Sequence, residues 1–117
     1  MNKIILGALN SKYIQSNLAV YELQAYAKQS FDRCDITICE YTINQPVDEI
    51  MSDLYQRHPD MIAFSCYVWN ILEIYQVTEE LKKIMPQTLI LLGGPEVSYD
   101  ATDILQKHEQ IDAVISG

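Results

Sequence analysis

Short apolar runs alternate along this chain with segments whose apolar residues recur at helical spacing. The runs at 3–9, 61–65 and 88–92 predict buried strands, and alternation at 35–41 predicts a half-exposed strand at a sheet edge. A fifth strand is predicted at 112–115. Strands that alternate with helical segments indicate a mostly parallel sheet with helices on both faces.

Helix signals fill the segments between these strands. The predicted helices are 18–28, a segment behind Pro46 with Val47, Ile50, Met51 and Leu54 on one face, a segment from Ile71 to Met85 that ends at Pro86, and a segment marked by Ala101, Ile104 and Leu105. Ser16 or Asn17 is the expected N-cap of the first helix. Asn70, with Glu73 three residues later, predicts a capping box for the third.

Together these elements predict an α/β fold of the flavodoxin-like (Rossmann-like) type, a three-layer sandwich around a five-stranded parallel sheet. Because the second strand is half-exposed, we expect the order 2-1-3-4-5 with right-handed crossovers. The chain stops at Ser116 and Gly117, where a fifth helix is expected to begin, so we expect 1–117 to be an N-terminal fragment of a longer protein. The uncovered apolar face would favour a homodimer.

Composition limits the classes of function. The 117 residues suit one domain with a single core, and no apolar run approaches the roughly 18 to 20 residues of a membrane span. A net charge of −8, with only eight Lys and Arg, argues against nucleic-acid binding. The three cysteines have no metal-ligand spacing, so we expect reduced packing residues in a cytoplasmic protein and no protein-held metal.

The carboxyl ends of the predicted strands share one edge, where open parallel α/β sheets bind ligands. The residues expected in the ligand-facing loops there are Asn10, Ser11, Lys12, Tyr13, Ser65, Cys66, Tyr67, Trp69, Gly93, Gly94, Pro95, Glu96, Ser116 and Gly117. Apart from Lys12 and Glu96 this lining is uncharged, which favours a large and nearly neutral ligand. Tyr13, Tyr67 and Trp69 are either ordinary packing residues or contacts for a flat macrocycle.

Familiar phosphate-binding motifs are absent from these loops. Residues 10–17 contain no glycine and so no G-x-G-x-x-G fingerprint, and Gly93-Gly94 is followed by Pro95 instead of Gly-Lys. A magnesium-binding receiver domain would need acidic residues where this chain has Asn10 and Ser65.

Nucleophilic catalysis is weakly supported as well. Cys66 lies at a strand end, a position compatible with exposure. His58 and His108 precede strands, which assigns them to the opposite sheet edge and argues against a Cys-His pair. Both histidines are expected to be solvated at helix ends. No catalytic residue is predicted.

Four segments, 8–18, 62–70, 92–98 and 112–117, resemble the N-terminal cobalamin-binding domain of cobalamin-dependent radical S-adenosylmethionine proteins, of the methyltransferase and Mg-protoporphyrin monomethyl ester cyclase type. The most specific pieces are Phe-Ser-Cys-Tyr at the third strand end and Gly-Gly-Pro-Glu at the fourth. The resemblance covers essentially the whole chain.

The resemblance implies a corrin ring over the carboxyl edge and a nucleotide tail beside the third and fourth strands. Ser65 would hydrogen-bond the tail, Gly93 and Gly94 would let it pass, and residues 10–13 would face the lower side of the ring. In such proteins a downstream barrel with a C-x-x-x-C-x-x-C motif holds a 4Fe-4S cluster and S-adenosylmethionine, and the cobalamin commonly supplies a methyl group. That motif is absent from these 117 residues, so this chain alone is not expected to be catalytic.

One departure concerns the cobalt ligand. Classical cobalamin domains place a histidine in a D-x-H-x-x-G loop after the first strand, whereas residues 10–17 contain none. The expected cobalamin would therefore be bound without a histidine ligand, with its lower face open or facing a residue such as Tyr13. Two alternatives remain: an interaction module that has lost the cofactor, and, less favoured, a flavin-binding electron carrier, because this loop lacks the small residues that wrap a flavin phosphate.

Overall fold

Five parallel strands form a single sheet in the computed structural model, which describes residues 3–11, 24–25, 35–97 and 100–115. The strands are β1 (Lys3–Asn10), β2 (Asp35–Thr42), β3 (Met61–Ser65), β4 (Leu89–Gly93) and β5 (Ala113–Val114). Every neighbouring pair is parallel, and the order β2-β1-β3-β4-β5 confirms the predicted topology. The edge position predicted for β2 from its alternating sequence is confirmed as well.

Three helices are described from end to end: α1 (Val47–Gln56), α2 (Ile71–Ile84) and α3 (Ala101–Lys107). They agree with the predicted segments, and α1 begins directly after Pro46. Gln24 and Ala25 are helical, and the Gln24 amide donates to the Ile36 carbonyl over 3.1 Å. The rest of the helix predicted at 18–28, with its expected N-cap residues, lies outside the described residues.

The two faces of the sheet carry separate apolar clusters, because successive side chains of a strand point to opposite faces. The larger cluster packs Ile5, Leu9, Ile62, Phe64, Ile90 and Leu92 of the sheet against residues of α1, α2 and α3. The smaller cluster lies on the other face, called here the second face, and is built from Leu6, Ala8 and Ile36, with Ile4, Ile38 and Ala63 beside them. The helices α1, α2 and α3 therefore pack only against the face that carries the larger cluster.

A small polar network joins the edge strand β2 to α1. The Tyr41 hydroxyl donates a hydrogen bond to the Asp53 carboxylate, and Arg57 Nε donates to the same oxygen over 3.0 Å. The bond from Tyr41, and then the bond from Arg57, hold the pKa of Asp53 below its ordinary value. Burial raises the pKa of Tyr41, so its hydroxyl stays protonated and remains a donor.

Candidate ligand site at the carboxyl edge of the sheet

The strands β3 and β4 end side by side, with Ser65 paired to Gly93. Paired residues of parallel strands point to the same face, so both lie on the second face together with Ala63. A β-carbon added at Gly93 would meet no atom closer than Cβ of Ile115, at 3.8 Å. Among the described residues, these small side chains leave room over the sheet next to the carboxyl edge, and we call this area the open strip.

Ser65 supplies a polar group on this strip. It is only 7% exposed, and its main-chain carbonyl accepts a hydrogen bond from Asn70. Across the part of the chain that the structure describes, the Ser65 hydroxyl itself has no hydrogen-bond partner. The hydroxyl is the part of this mostly buried residue that solvent reaches, and it fits a polar group of a ligand lying along the strip.

The turn after β4 lies directly against the chain that follows β3. Gly94 has a φ of +100°, and a β-carbon there would come within 2.6 Å of the Cys66 carbonyl oxygen. The Cys66 N–H donates to the Gly93 carbonyl over 2.7 Å, and the Glu96 N–H donates to the Cys66 carbonyl over 3.3 Å. Gly94 is therefore required by the contact between two backbones of the protein itself.

The position of Cys66 at a strand end was compatible with exposure. The structure excludes this, because the side chain is fully buried in the larger core cluster. Burial raises the pKa of its thiol to about 12, so the thiol is neutral at physiological pH and unsuited to act as a nucleophile. Cys39 is likewise a free, buried cysteine with a raised pKa. The packing role predicted for these two cysteines is confirmed, and Cys34 lies outside the described residues.

The aromatic residues of the β3–α2 loop form one unit. The rings of Tyr67 and Trp69 stack with centroids 5.4 Å apart and planes inclined by 10°. The side chains of Val68 and Leu72 are exposed beside them. The loop thus presents an apolar and aromatic surface at the same edge as Ser65 and Gly93.

Asn70 has a different role from the one predicted. It precedes α2, but its side chain makes no capping bond, so the expected capping box with Glu73 is wrong. The fully buried side chain instead donates from Nδ2 to the carbonyls of Leu9 (3.0 Å) and Ser65 (3.2 Å), and its Oδ1 accepts the Tyr67 N–H (2.8 Å). No local pattern signals this role, because Leu9 lies 61 residues away in the chain.

The remaining predicted site residues are only partly described. Asn10 is buried at the end of β1, where its amide donates to Glu40 over 3.4 Å. Ser11 follows it, and Pro95 and Glu96 are exposed after β4. The predicted site residues that lie outside the described part of the chain are Lys12, Tyr13, Ser116 and Gly117.

Both histidines lie before strands, at the amino edge of the sheet, as predicted. His58 is exposed, but His108 is half-buried and stacks on Tyr75 with ring centroids 3.7 Å apart, which corrects the expectation that it is solvated. Two surface clefts of about 590 and 350 Å³ lie at this amino edge, one beside His108 and the other beside His58. Among the residues described, none form a His, Cys, Asp or Glu cluster suited to a metal, and no helix could cross a bilayer.

Comparison with known proteins agrees with this architecture. The family model described as "B12 binding domain" matches residues 4–117. A 1.5 Å crystal structure of a novel cobalamin-binding protein from Desulfitobacterium hafniense DCB-2 superimposes with a TM-score of 0.69. It is 13% identical, and the match covers 99% of this chain and 53% of that one, so this likeness establishes the flavodoxin-like fold.

Two curated relatives are similar in sequence. The cobalamin-dependent radical SAM methyltransferase TokK of Streptomyces tokunonensis is 33% identical over 72 residues, which are 62% of this chain and 10% of that protein. The 2-(S-pantetheinyl)-carbapenam-3-carboxylate methyltransferase of Streptantibioticus cattleyicolor is 36% identical over 59 residues, 50% of this chain and 9% of that protein. The matched part thus spans about a tenth of each relative. By its fold the protein is a flavodoxin-like α/β domain, and it belongs to the B12 binding domain family.

Proposed function

We propose that this chain is a cobalamin-binding module that serves a radical S-adenosylmethionine barrel elsewhere in a longer protein, in methyl transfer or a related radical reaction. The observation that carries the proposal is the open strip on the second face, where the Ser65 hydroxyl lies beside Gly93. Membership of the B12 binding domain family and the methyltransferase names of both curated relatives support it.

The described residues fit the nucleotide tail of a cobalamin. Gly93 leaves space over β4, and the Ser65 hydroxyl is available to hydrogen-bond the tail beside it. The stacked rings of Tyr67 and Trp69 offer apolar area to the corrin. Gly94 acts on the site through the protein, by allowing the contact with Cys66 that holds the two loops together.

The proposed module binds its cofactor without a histidine ligand to cobalt. Residues 10–17 contain no histidine, and His58 and His108 lie at the amino edge. Cobalamin, when bound, would supply a methyl group to the reaction. The S-adenosylmethionine and the 4Fe-4S cluster would belong to the barrel, so no residue of this chain is proposed as catalytic. A cytoplasmic location stays a prediction.

The second candidate function is an interaction module that no longer binds a cofactor. It is favoured by the exposed apolar side chains of Val68 and Leu72 at the carboxyl edge. The same surface borders the proposed corrin site, so corrinoid binding separates the two candidates.

The deciding experiment is a visible-absorbance titration of hydroxocobalamin into this chain, repeated with the longer protein that contains it. We expect saturable binding with a base-off spectrum, and weaker binding of cobinamide, which lacks the nucleotide tail. Binding by the longer protein alone would mean that other segments complete the site. No binding by either would reject the cofactor and favour the interaction module.

Self-association through the second face is a further prediction. Ile115 is exposed beside Gly93 on that face, and exposed apolar area of this kind favours association. Sedimentation velocity over increasing protein concentration should show a dimer, and Ile115→Lys should weaken it. A monomer at all concentrations would contradict the prediction.

A further inference from the structure

The Asn70 side chain makes three hydrogen bonds to the loops of the proposed site. Its two amide hydrogens go to the carbonyls of Leu9 and Ser65, and its oxygen accepts the N–H of Tyr67. The side chain is 0% exposed, so water cannot replace these partners without local opening. One residue thereby connects the ends of β1 and β3 to the start of the aromatic loop.

The positions of these partners relate the network to the site. Leu9 directly precedes Asn10, the last residue of β1, and Ser65 is the polar residue of the open strip. The N–H of the next residue, Cys66, donates a hydrogen bond to the carbonyl of Gly93 in β4. Segment 65–70 is thus tied to β1 by Asn70 and to β4 by Cys66, which sets the spacing of three strand ends.

We propose that Asn70 is a positioning residue of the ligand site. Its amide holds the ends of β1 and β3 at the separation that the ligand requires, and its side chain makes no capping bond to α2. Loss of its donors removes a hydrogen bond from each of two buried carbonyl oxygens, so the strand ends would part or admit water. The expected effect of Asn70 on cobalamin binding rests on the function proposed above. Its effect on the positions of the loops is independent of that function.

A substitution with serine separates positioning from capping. Serine caps helices about as well as asparagine does, so a defect in Asn70→Ser cannot be attributed to a poorer helix cap. It is too short to provide both donations to Leu9 and Ser65. Asn70→Asp is a second variant, which keeps the acceptor for the Tyr67 N–H and the shape of the side chain but has no amide hydrogens.

Thr88 offers a matched control at the opposite edge of the sheet. It is 7% exposed, and its Oγ1 donates to the Pro59 carbonyl over 3.0 Å, which ties together the segments that precede β4 and β3. Thr88→Val removes this buried bond with little change of shape. Both sites therefore lose a buried tie between neighbouring segments of the sheet, but only Asn70 lies at the proposed ligand edge.

The first test is amide hydrogen exchange of the ligand-free chain, measured by mass spectrometry. In Asn70→Ser and Asn70→Asp we expect exchange to rise by about tenfold or more in segments 8–11 and 64–69. In Thr88→Val the rise should be confined to the amino edge. Unchanged exchange in 8–11 in folded Asn70 variants would overturn the inference.

The second test is hydroxocobalamin binding under conditions where circular dichroism shows every variant folded. The Kd should rise by about tenfold in Asn70→Ser and stay within about twofold in Thr88→Val. If Asn70→Ser and Thr88→Val both bound with the affinity of the unaltered chain, or both lost affinity to the same extent, the role proposed for Asn70 would be overturned. If the unaltered chain binds no corrinoid but exchange still rises only in the Asn70 variants, the proposed cofactor is wrong and the positioning of the loops stands.

Discussion

Gly94 lies so close to Cys66 that a β-carbon at position 94 would come within 2.6 Å of the Cys66 carbonyl oxygen and 2.8 Å of its nitrogen. Both atoms belong to the backbone, which cannot rotate away as a side chain can. The positive φ of Gly94 adds a conformation that other residues rarely adopt. The neighbouring Gly93 has neither constraint, so these adjacent glycines serve different purposes.

Gly94→Ala should strongly destabilise the domain. The strained φ and the backbone clash together should lower the free energy of unfolding by about 3 kcal/mol, measured by urea denaturation. Gly93→Ala is the matched control and should change it by no more than about 0.5 kcal/mol, because the new methyl group has room and alanine suits a strand better than glycine. Similar losses in both variants would contradict the distinction.

Gly93→Val should leave the fold intact and weaken cobalamin binding. The branched side chain would project over the open strip beside Ser65, where the nucleotide tail is proposed to lie. We expect the Kd for hydroxocobalamin to rise by about tenfold or more, with less change for cobinamide, which has no tail to exclude. An equal loss for both corrinoids would place the tail elsewhere.

The stability of the domain should fall at alkaline pH, in part through Cys66. Burial raises the pKa of its thiol from 9.0 to about 12 in the folded protein, so the unfolded chain releases its proton at lower pH than the folded one. The contribution is therefore complete below pH 9 and is lost between pH 9 and 12, by about 1 kcal/mol per pH unit.

The measurement is urea unfolding at several pH values, with Cys66→Ala as the comparison. Cys39 and Tyr41 also have raised pKa values, so some decline will remain in that variant. The unaltered chain should decline more steeply than Cys66→Ala above pH 9. Parallel declines would show that the Cys66 thiol is accessible to solvent in the folded state.

Asp112 should be important for attaching the short strand β5. Its Oδ2 accepts hydrogen bonds from Lys82 Nζ (2.6 Å) and from the Ile90 N–H (2.8 Å), and Lys82 also donates to the Thr88 carbonyl (2.8 Å). Asp112→Ala should lower the free energy of unfolding by about 2 kcal/mol, because the loss includes a bond to the backbone of β4.

A double-mutant cycle with Lys82→Met measures the ion pair alone. Both side chains are partly exposed, so the coupling energy should be only about 0.5 to 1 kcal/mol and should fall in high salt. The Lys83–Glu80 pair, which is far more exposed, serves as the control and should show almost no coupling. Equal coupling in the two pairs would contradict the shielding assigned to Asp112.

The sequence by itself determined the kind and order of the elements. Apolar runs such as 61–65, separated by helical periodicity and by signals such as Pro46, are local features, and the elements that the structure describes from end to end agree closely with them. The order 2-1-3-4-5 was predictable because a half-exposed strand belongs at an edge and parallel crossovers are right-handed. The loops of the candidate site followed directly, because parallel strands end at one edge.

Only the tertiary structure decided what the residues in those loops do. Asn70 has a local environment typical of a cap, yet its partner Leu9 is 61 residues away, and the sequence carries no signal for such a pairing. Gly93 and Gly94 are the same residue type, and the sequence does not tell their roles apart. The structure shows that Gly94 packs against the Cys66 backbone and must be glycine, whereas Gly93 has open space beside it. The burial of Cys66 likewise depends on helices packed against β3. Local patterns specify elements, whereas the role of a side chain depends on neighbours brought from distant parts of the chain.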